Sequence, residues 1–273
     1  MKIIFLGDIV GKTGLEVMQQ ELPPLKRQLK PDFTIANGEN ISSGNGISPK
    51  SAEQIFNSGV DIITTGNHVW DRIETLSLLE SNKPVLRPYN FPVNTPGRGY
   101  IEINSGSGEK LLVINLQAQL FMGQNLNDPF SAADEILSSY KLKNNIDAIF
   151  VDFHGEATAE KMALGQYLDG RVSAIVGTHT HVPTSDTHIL PSGTAYQTDA
   201  GMCGDYNSVV GFEPMIAVQR FTTKRKVYER GKPASGAATL CGNFVKINHR
   251  TGLASSIEPI RIGGVLPQVL PVG

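Results

Sequence analysis

Short apolar runs alternate along the chain with longer segments in which apolar residues recur every three or four positions. The apolar runs predict six β-strands, at residues 2–7, 32–36, 60–65, 110–116, 147–153 and 172–178. The periodic segments predict helices at residues 13–29, 48–58, 71–81, 130–142 and 156–168. Several runs are apolar at consecutive positions, which is typical of strands buried on both faces of a sheet. The alternation indicates a layered α/β fold.

The last third of the chain has a different pattern. After about residue 186 the sequence predicts strands and turns without a clear helix. No internal repeat, low-complexity tract or linker divides the sequence, so we predict a single domain over residues 1–273. A chain of this length can bury a full core without disulfide bonds.

The composition limits the classes of function. The chain has 24 Lys and Arg against 26 Asp and Glu, a net charge of −2, which argues against a basic face for long nucleic acids. Cys203 and Cys241 are the two cysteines and form no CxxC pair, so neither a disulfide framework nor a thiolate metal site is predicted. We expect Cys203 to be a packed residue rather than a nucleophile. Without a recognisable signal peptide or membrane span, the expected location is the cytoplasm.

Uncommon polar residues cluster where the predicted strands end. Four strands end in the sequences GDIVG, NGEN, GNH and FHGE, and a fifth ends in GTHTH. Because the carboxyl ends of neighbouring parallel strands meet at one edge of a sheet, these side chains are expected to converge. The candidate site residues are Asp8, Glu39, Asn40, Asn67, His68, His154, His179 and His181.

Each candidate alone has a simpler interpretation. Asp8 could cap a helix, the GNH sequence could form a turn, and a lone histidine is more often a hydrogen-bonded structural residue than a ligand. However, four of the six histidines fall at these strand ends, where packing does not require imidazoles. His179 and His181 are two positions apart, so in an extended loop they project alike and can reach the same or adjacent ions. The combination favours a metal site.

Carboxylate, amide and imidazole ligands without thiolates suit Fe, Mn or Zn. Two such ions about 3.5–4 Å apart hold a bridging water and a phosphoryl oxygen together, and they lower the pKa of that water to about 7. The predicted reaction is therefore hydrolysis of a phosphoester by in-line attack of a metal-bridging hydroxide. The competing nucleotide-binding loop in GDIVGKT is rejected, because three residues separate Gly7 from Gly11 where that loop has four. Lys12 is then part of the first helix, and the alternative is that Lys12 or nearby amides contact a substrate phosphate.

The motifs resemble those of the calcineurin-like metallophosphoesterase superfamily. The resemblance rests on GD at Asp8, GNH at 66–68, His154 after a strand, and the G-x-H-x-H sequence at 177–181. More narrowly, GDIVGKTG, NGEN, GNHVWD, DFHGEATAEK and GTHTHVPT resemble the YmdB-like branch across most of the chain. The sequence departs from the broad superfamily at Val10, where the first motif has a histidine, and at NGEN, which replaces the second G-D motif. The resemblance implies a layered α/β/β/α sandwich with a binuclear metal site.

The same resemblance implies roles for the candidate residues, with Glu39 bridging two ions. One ion would have the ligands Asp8, Glu39, Asn40 and His181. The other would have the ligands Glu39, Asn67, His154 and His179. His68 would donate a proton to the leaving oxygen, and the alternative is that it only orients a neighbouring residue. The branch resemblance further implies iron or manganese, and hydrolysis of cyclic nucleotides, especially 2′,3′-cyclic ones.

Several weaker signals and one different class of function stay open. The segment 198–211 either closes over the site or joins strands at the surface, and the basic run 224–226 is either solvated or attracts an anion. Trp70 and Tyr206 either stack on a base or pack in the core. The chain could instead be a metal-bound regulatory protein that binds RNA or a protein partner, with slow or incidental hydrolysis. Assembly into a homo-oligomer is also left open.

Overall fold

The computed structural model describes residues 1–224 and 231–272 of the chain. The strands of its first half are β1 Lys2–Leu6, β2 Asp8–Ile9, β3 Phe33–Asn37, β4 Ile62–Thr64, β5 Tyr100–Asn104 and β6 Lys110–Gln117. The later strands are β7 Ala148–His154, β8 Ala174–Thr178, β9 His188–Ile189, β10 Ala195–Gln197, β11 Met202–Asp205, β12 Ala238–Ile247 and β13 Ala254–Gly263. The helices are α1 Gly11–Leu29, α2 Pro49–Asn57, α3 Thr75–Leu79, α4 Pro129–Ser139, α5 Thr158–Leu168 and α6 Pro214–Thr223.

The strands form two sheets. In the first sheet the order is β2-β11-β12-β1-β3-β4, and β13 pairs with β12. In the second sheet the order is β5-β6-β7-β8-β10-β9. Strands β1, β3 and β4 are parallel, as are β6, β7, β8 and β10. Each sheet therefore presents several carboxyl strand ends along one edge.

The two sheets face each other and carry helices on their outer faces. Apolar side chains from both sheets meet in one buried cluster, where the rings of Phe5 and Phe150 lie 5.0 Å apart. On its outer face the first sheet packs against α1, α2 and α3, and the second packs against α4 and α5. Strands buried on both faces explain the continuous apolar runs in the sequence. The predicted α/β/β/α sandwich is confirmed.

The six predicted strands are all present, but two helix predictions need correction. The helix predicted over 71–81 is confined to Thr75–Leu79, because Asp71 and Arg72 contact His68 and the loop of residues 42–45 instead of continuing a helix. The expectation of no helix after residue 186 is wrong, since Pro214–Thr223 is helical. None of the residues in this helix is buried, so it lacks the core-facing apolar stripe by which helices are recognised.

Among the described residues, no helix is long and apolar enough to cross a bilayer. Cys203 and Cys241 are both buried, free cysteines. The sequence predicts no disulfide between them. The single domain over 1–273 and the cytoplasmic location stay predictions.

Candidate metal centre

All eight candidate residues lie at or just beyond the carboxyl ends of strands. In the first sheet, Asp8 follows β1, and the loops after β3 and β4 carry the next four candidates: Glu39, Asn40, Asn67 and His68. In the second sheet, His154 ends β7, and the turn after β8 carries His179 and His181. Because the two sheets are stacked, their strand ends meet at one edge of the sandwich.

The side chain of His154 lies at the centre of this group. Its Nε2 atom is 2.9 Å from Asn67 Oδ1, 3.1 Å from Glu39 Oε1 and 3.1 Å from His179 Nδ1. Two ligand atoms that bind one ion at right angles, with bonds of about 2.1 Å, lie about 3 Å apart. Glu39, His154 and His179 offer ligand atoms that all lie within 4.8 Å of one another. These separations are compatible with ligands of a shared ion.

The hydrogen bonds of His154 assign its two ring nitrogens. Its Nδ1 lies 2.9 Å from Thr178 Oγ1, and that hydroxyl donates to Asp152 Oδ1 at 2.7 Å. A hydroxyl has one proton to donate, so Thr178 accepts its second bond from the Nδ1–H of His154. Burial raises the pKa of Asp152 to about 6. This chain from carboxylate to hydroxyl to imidazole directs Nε2 towards Glu39 and Asn67.

Three buried oxygen atoms of the site have no hydrogen-bond partner, and the 3.1 Å contact of Glu39 Oε1 with His154 Nε2 is not a hydrogen bond when the proton of His154 is on Nδ1. The three oxygens belong to Asp8 (Oδ1), Glu39 (Oε1) and Asn40 (Oδ1). The other polar atom of each side chain is bonded: Asp8 Oδ2 accepts from the amide of His179, Glu39 Oε2 accepts from the amide of His68, and Asn40 Nδ2 donates to a backbone carbonyl. Unpaired buried acceptors are rare in proteins and costly. Oxygen atoms held in place and unpaired are suitable ligands for a cation, so the residues present fit a metal site.

The charges of the site also favour a cation. Burial raises the pKa of Asp8 above its ordinary value. Burial lowers the pKa of His154, but the carboxylates of Glu39 and Asp8 raise it by more. Burial and the neighbouring His154 lower the pKa of His179 to about 3, so His179 is neutral at pH 7. The carboxylates of Asp8 and Glu39 therefore attract a cation to the site. The neutral imidazole of His179 beside them can bind that cation through a ring nitrogen.

The two histidines of the GTHTH turn are held in uncommon backbone conformations. His179 has φ of 101° and His181 has φ of 65°. Such conformations cost about 1–3 kcal/mol each and persist only where surrounding contacts enforce them. His181 Nδ1 donates to the carbonyl of Val210 at 2.8 Å, and its Nε2 lies 3.9 Å from Asp8 Oδ1. His179 Nε2 lies 3.4 Å from a carboxylate oxygen of Glu156. Each ring thus has one nitrogen engaged and the other turned to the site.

His68 differs from the other histidines of the site. Its backbone amide donates to Glu39 Oε2 at 3.1 Å, and its ring Nδ1 lies 3.0 Å from Asp71 Oδ2. Both side chains of this pair are 33% exposed, so the pair is partly accessible to solvent. His68 thus contacts Glu39 through its backbone amide and Asp71 through its ring, and its role as a proton donor stays a prediction.

Sequence reasoning did not identify Asp71 or Glu156 as functional. Both carboxylates lie within the quoted motifs GNHVWD and DFHGEATAEK, and each contacts a histidine of the site. The spacing of Asp71 three residues after His68 was the one available signal. Asp152 and Thr178 also lie within motifs, DFHGEATAEK and GTHTHVPT, but their role in orienting His154 was not recognisable, because a buried hydrogen-bond network depends on strands that are distant in sequence.

Gly66 lies against candidate ligands from both sheets, His154 and Glu39. A Cβ atom at this position would lie 2.2 Å from His154 Cδ2 and 2.4 Å from Glu39 Oε2. No side chain larger than hydrogen can be accommodated there without displacement of both residues. The glycine of the GNH motif is therefore required by the packing of the candidate ligands.

The structure also distinguishes between the alternative roles of Trp70, Tyr206 and Cys203. Trp70 packs edge-on against Phe91, with ring centroids 6.1 Å apart, at the border of the core. Tyr206 donates its hydroxyl hydrogen bond to the carbonyl of Met202. Cys203 is fully buried and burial raises its thiol pKa, as expected for a packed residue. These side chains are engaged in packing, so the base-stacking interpretation has no support.

The remaining signals concern the segment 198–211 and the basic residues. Residues 198–205 are buried and include β11, which pairs with β2 beside Asp8, so this part is not a surface loop. Val210, at the other end, accepts the hydrogen bond of His181. Lys12 is exposed and pairs with Glu16. Of the basic run 224–226, the last two positions lie outside the described residues.

Two facing sheets between helices, with carboxylate, amide and imidazole side chains at the strand ends, define the metallophosphoesterase class of fold. Residues 4–260 match the family model described as YmdB-like protein, and the chain belongs to this YmdB-like family. Membership implies divalent metal ions, and the Glu39, His154 and His179 cluster is a possible site for one.

Three relatives support this assignment over nearly the full chain. A 2′,3′-cyclic-nucleotide 2′-phosphodiesterase from Bacillus subtilis (strain 168) is 45% identical, with 96% of this chain and 97% of the relative covered. The crystal structure of a hypothetical protein from Thermus thermophilus has a TM-score of 0.90 at 41% identity and covers 97% of this chain and 100% of that one. A novel phosphatase from Mycoplasma pneumoniae has a TM-score of 0.89 at 34% identity, with 96% and 93% coverage. The prediction of an enzyme that hydrolyses phosphoric diesters is confirmed.

Proposed function

We propose that this protein is a binuclear metal-dependent phosphodiesterase that hydrolyses small cyclic nucleotides, in particular 2′,3′-cyclic nucleotides. The substrate follows from the name of the 45% identical Bacillus subtilis relative. The metal dependence follows from the geometry of the site. The observation that carries it is the set of buried oxygens of Asp8, Glu39 and Asn40 that have no hydrogen-bond partner.

The proposed ligands form two sets that share Glu39. The second set is supported by the contacts of His154 Nε2, which lies close to Glu39, Asn67 and His179. The first set is supported by the unpaired oxygens and by the approach of His181 Nε2 to Asp8. The ligands of the first ion are Asp8, Glu39, Asn40 and His181, and those of the second are Glu39, Asn67, His154 and His179. We propose iron or manganese, since all these donors are oxygen or nitrogen.

When bound, the ions supply positive charge for the phosphoryl oxygens and lower the pKa of a water molecule. The protein supplies the remaining chemistry. In this proposal His68 donates a proton from Nε2 to the ribose oxygen that leaves, and the contact of its Nδ1 with Asp71 supports this role. Gly66 allows the two halves of the site to approach closely, and Asp152 fixes His154 through Thr178.

Metal analysis tests the binuclear site. We expect purified protein loaded with Mn²⁺ to hold about two ions per chain and to lose hydrolysis on chelation. Asp8→Asn should weaken the first ion while the protein stays folded by circular dichroism. Cys203→Ala, a buried substitution that leaves every proposed ligand in place, is the control and should keep both ions. No more than one tightly bound ion per chain after Fe or Mn loading would contradict the binuclear proposal.

A substrate panel tests the proposed specificity. The panel compares 2′,3′-cyclic nucleotides, 3′,5′-cyclic nucleotides, phosphomonoesters and short RNA on protein of known metal content. We expect the highest kcat/KM for 2′,3′-cyclic nucleotides, and chromatography of the products identifies which ester bond is broken. A higher kcat/KM for monoesters or for RNA would reject a cyclic-nucleotide phosphodiesterase and leave the metal proposal intact.

The regulatory alternative stays a prediction. Its test is whether cells that carry a folded Asp8→Asn protein keep the cellular role of the wild type. Retention of that role without hydrolysis would favour a metal-bound protein that acts through an RNA or protein partner. The homo-oligomer also stays a prediction, and neither the net charge of −2 nor the site geometry favours these options.

A further inference from the structure

A buried ion pair lies directly behind the metal-site histidines and belongs to neither proposed ligand set. Lys161 Nζ lies 2.8 Å from Asp199 Oδ2, and the two side chains are 1% and 0% exposed. Lys161 is on α5, and Asp199 follows β10. A buried pair of charges is weak evidence for stability, because two well-packed apolar residues often do as well. The other contacts of the pair therefore indicate what it does.

Those contacts go to the two peptide groups that flank His179. Lys161 Nζ donates to the carbonyl of Thr178 at 2.7 Å, and Asp199 Oδ2 accepts from the amide of Thr180 at 3.0 Å. The amide of His179 itself donates to Asp8 Oδ2 at 3.1 Å. The backbone is thus fixed immediately before, at and immediately after His179.

This fixation coincides with the left-handed backbone of the turn. His179 has φ of 101° and His181 has φ of 65°. Non-glycine residues keep such conformations where surrounding contacts enforce them. Asp199 also accepts from the amide of Gly201 at 2.9 Å and, through its own carbonyl, from the amide of Thr184, so the carboxylate is itself rigidly held. The turn is therefore anchored to a fixed point in the second sheet.

We propose that Lys161 and Asp199 are positioning residues that hold the turn over residues 178–181 in the conformation that presents His179 and His181 to the ions. The proposal rests on the proposed function, because it takes both histidines as ligands. An ammonium and a carboxylate are suited to holding this turn, because the turn presents one carbonyl acceptor, at Thr178, and one amide donor, at Thr180, to buried side chains. A paired ammonium and carboxylate satisfy both and also each other.

Two variants test the proposal, with Mn²⁺ alone as the probe. Lys161→Met keeps the length of the side chain but removes the ammonium that donates to the Thr178 carbonyl and balances the charge of Asp199. The backbone amides of Gly155, Thr180 and Gly201 stay as donors to these two acceptors. Asp199→Asn keeps the shape but removes the charge. We expect both proteins to fold and to bind Mn²⁺ at least about 10-fold more weakly than wild type by calorimetric titration, as is usual when residues that orient ligands are lost. Activity should recover as the Mn²⁺ concentration is raised, because every ligand is still present.

Ser173→Ala is the matched control for general destabilisation. Ser173 is buried just before β8, at the opposite end of that strand from the turn, and donates to the carbonyl of Gly252. Its loss therefore also removes a side-chain hydrogen bond to a buried carbonyl. We expect this variant to be less stable and to bind Mn²⁺ like wild type. An equal loss of Mn²⁺ affinity in Ser173→Ala would overturn the positioning role.

The outcomes separate this proposal from the proposed function. If wild type binds no Mn²⁺, the metal centre is wrong, and the positioning role is overturned with it. If wild type binds two ions and the folded variants bind them equally well, only the positioning role is overturned. If Lys161→Met does not fold, Asp199→Asn decides by the same comparison. Failure of both variants to fold, while Ser173→Ala folds, would make the pair a requirement of the fold and would also overturn the proposal.

Discussion

The two sheets contribute different atoms to the same site. The loops of the first sheet contribute oxygen atoms, from Asp8, Glu39, Asn40 and Asn67. The strand ends of the second sheet contribute imidazole nitrogens, from His154, His179 and His181. Three of the oxygens are buried without any hydrogen-bond partner. Each imidazole instead has its far ring nitrogen engaged, by a hydroxyl, a carboxylate or a backbone carbonyl.

This difference indicates a division of tasks. The second sheet orients its nitrogens in advance, through hydrogen bonds and a fixed turn. The first sheet leaves oxygens unpaired, which costs about 1–3 kcal/mol for each group in the absence of a partner. A bound cation removes that cost, so metal binding is expected to raise the free energy of unfolding as well as to enable catalysis. The variants below test each side of the comparison in turn.

The largest effect is expected on the oxygen side, at Glu39. Because we assign this carboxylate to both ions, Glu39→Ala should remove most of both, whereas Asn67→Ala should keep about one ion per chain. Hydrolysis by Glu39→Ala should fall to the level of chelated wild type. Metal content of the two purified variants, measured side by side, checks the expectation. Equal metal retention would mean that Glu39 does not bridge.

His68 is the exception to the comparison, since it is an imidazole carried by the first sheet. We expect it to act on protons rather than on metal, so His68→Ala should keep near-native metal content. The variant should lose roughly 10²–10⁴ in kcat on a ribose leaving group, and much less on a nitrophenyl ester that needs little protonation. Equal losses on both substrates would assign His68 to phosphate positioning, and lost metal would make it a ligand.

The sequence predicted the strands with a local apolar pattern better than the elements whose place depends on distant residues. Buried strands such as 147–153 and 172–178 were recognisable because continuous apolar runs are local signals. Strand β12 was predicted only as unspecified strand and turn, although it lies in the middle of the first sheet beside β1. Its place depends on pairing between residues about 240 positions apart, which no local pattern encodes. The helix Pro214–Thr223 was missed because it buries no side chain.

The same distinction applies to the candidate site. The eight polar candidates were visible because imidazoles and carboxylates are uncommon at strand ends. The residues that hold them in place were not, because Asp152, Thr178, Lys161 and Asp199 are ordinary residues until the fold brings them behind the histidines. Metal ligation can therefore be predicted from residue type and position, whereas orientation of the ligands depends on tertiary contacts.

A substitution at Gly66 tests the position where Glu39 of the first sheet and His154 of the second sheet lie close together. Gly66→Ala places a methyl group against both Glu39 and His154, so one side must move. A displacement of about 1 Å in such a site can cost about 10²-fold in rate, and we expect a loss of kcat/KM of this size with reduced metal content. Gly106→Ala is the control, since a Cβ there meets nothing within 4 Å. Similar activity in both variants would show that the site tolerates the displacement.

The smallest effect is expected from the orientation of His154 on the imidazole side. Thr178→Val keeps the shape of the residue but removes the hydroxyl that links His154 Nδ1 to Asp152. We expect Mn²⁺ affinity to fall about 10-fold, because the ring loses the partner that directs Nε2 to the site. Thr64→Val is the matched control: Thr64 is equally buried, and its hydroxyl also donates to Asp152, at Oδ2 rather than at the Oδ1 that accepts from Thr178. It should therefore change stability more than Mn²⁺ affinity. Equal losses of affinity in the two variants would assign the effect to the charge of Asp152 instead of the orientation of His154.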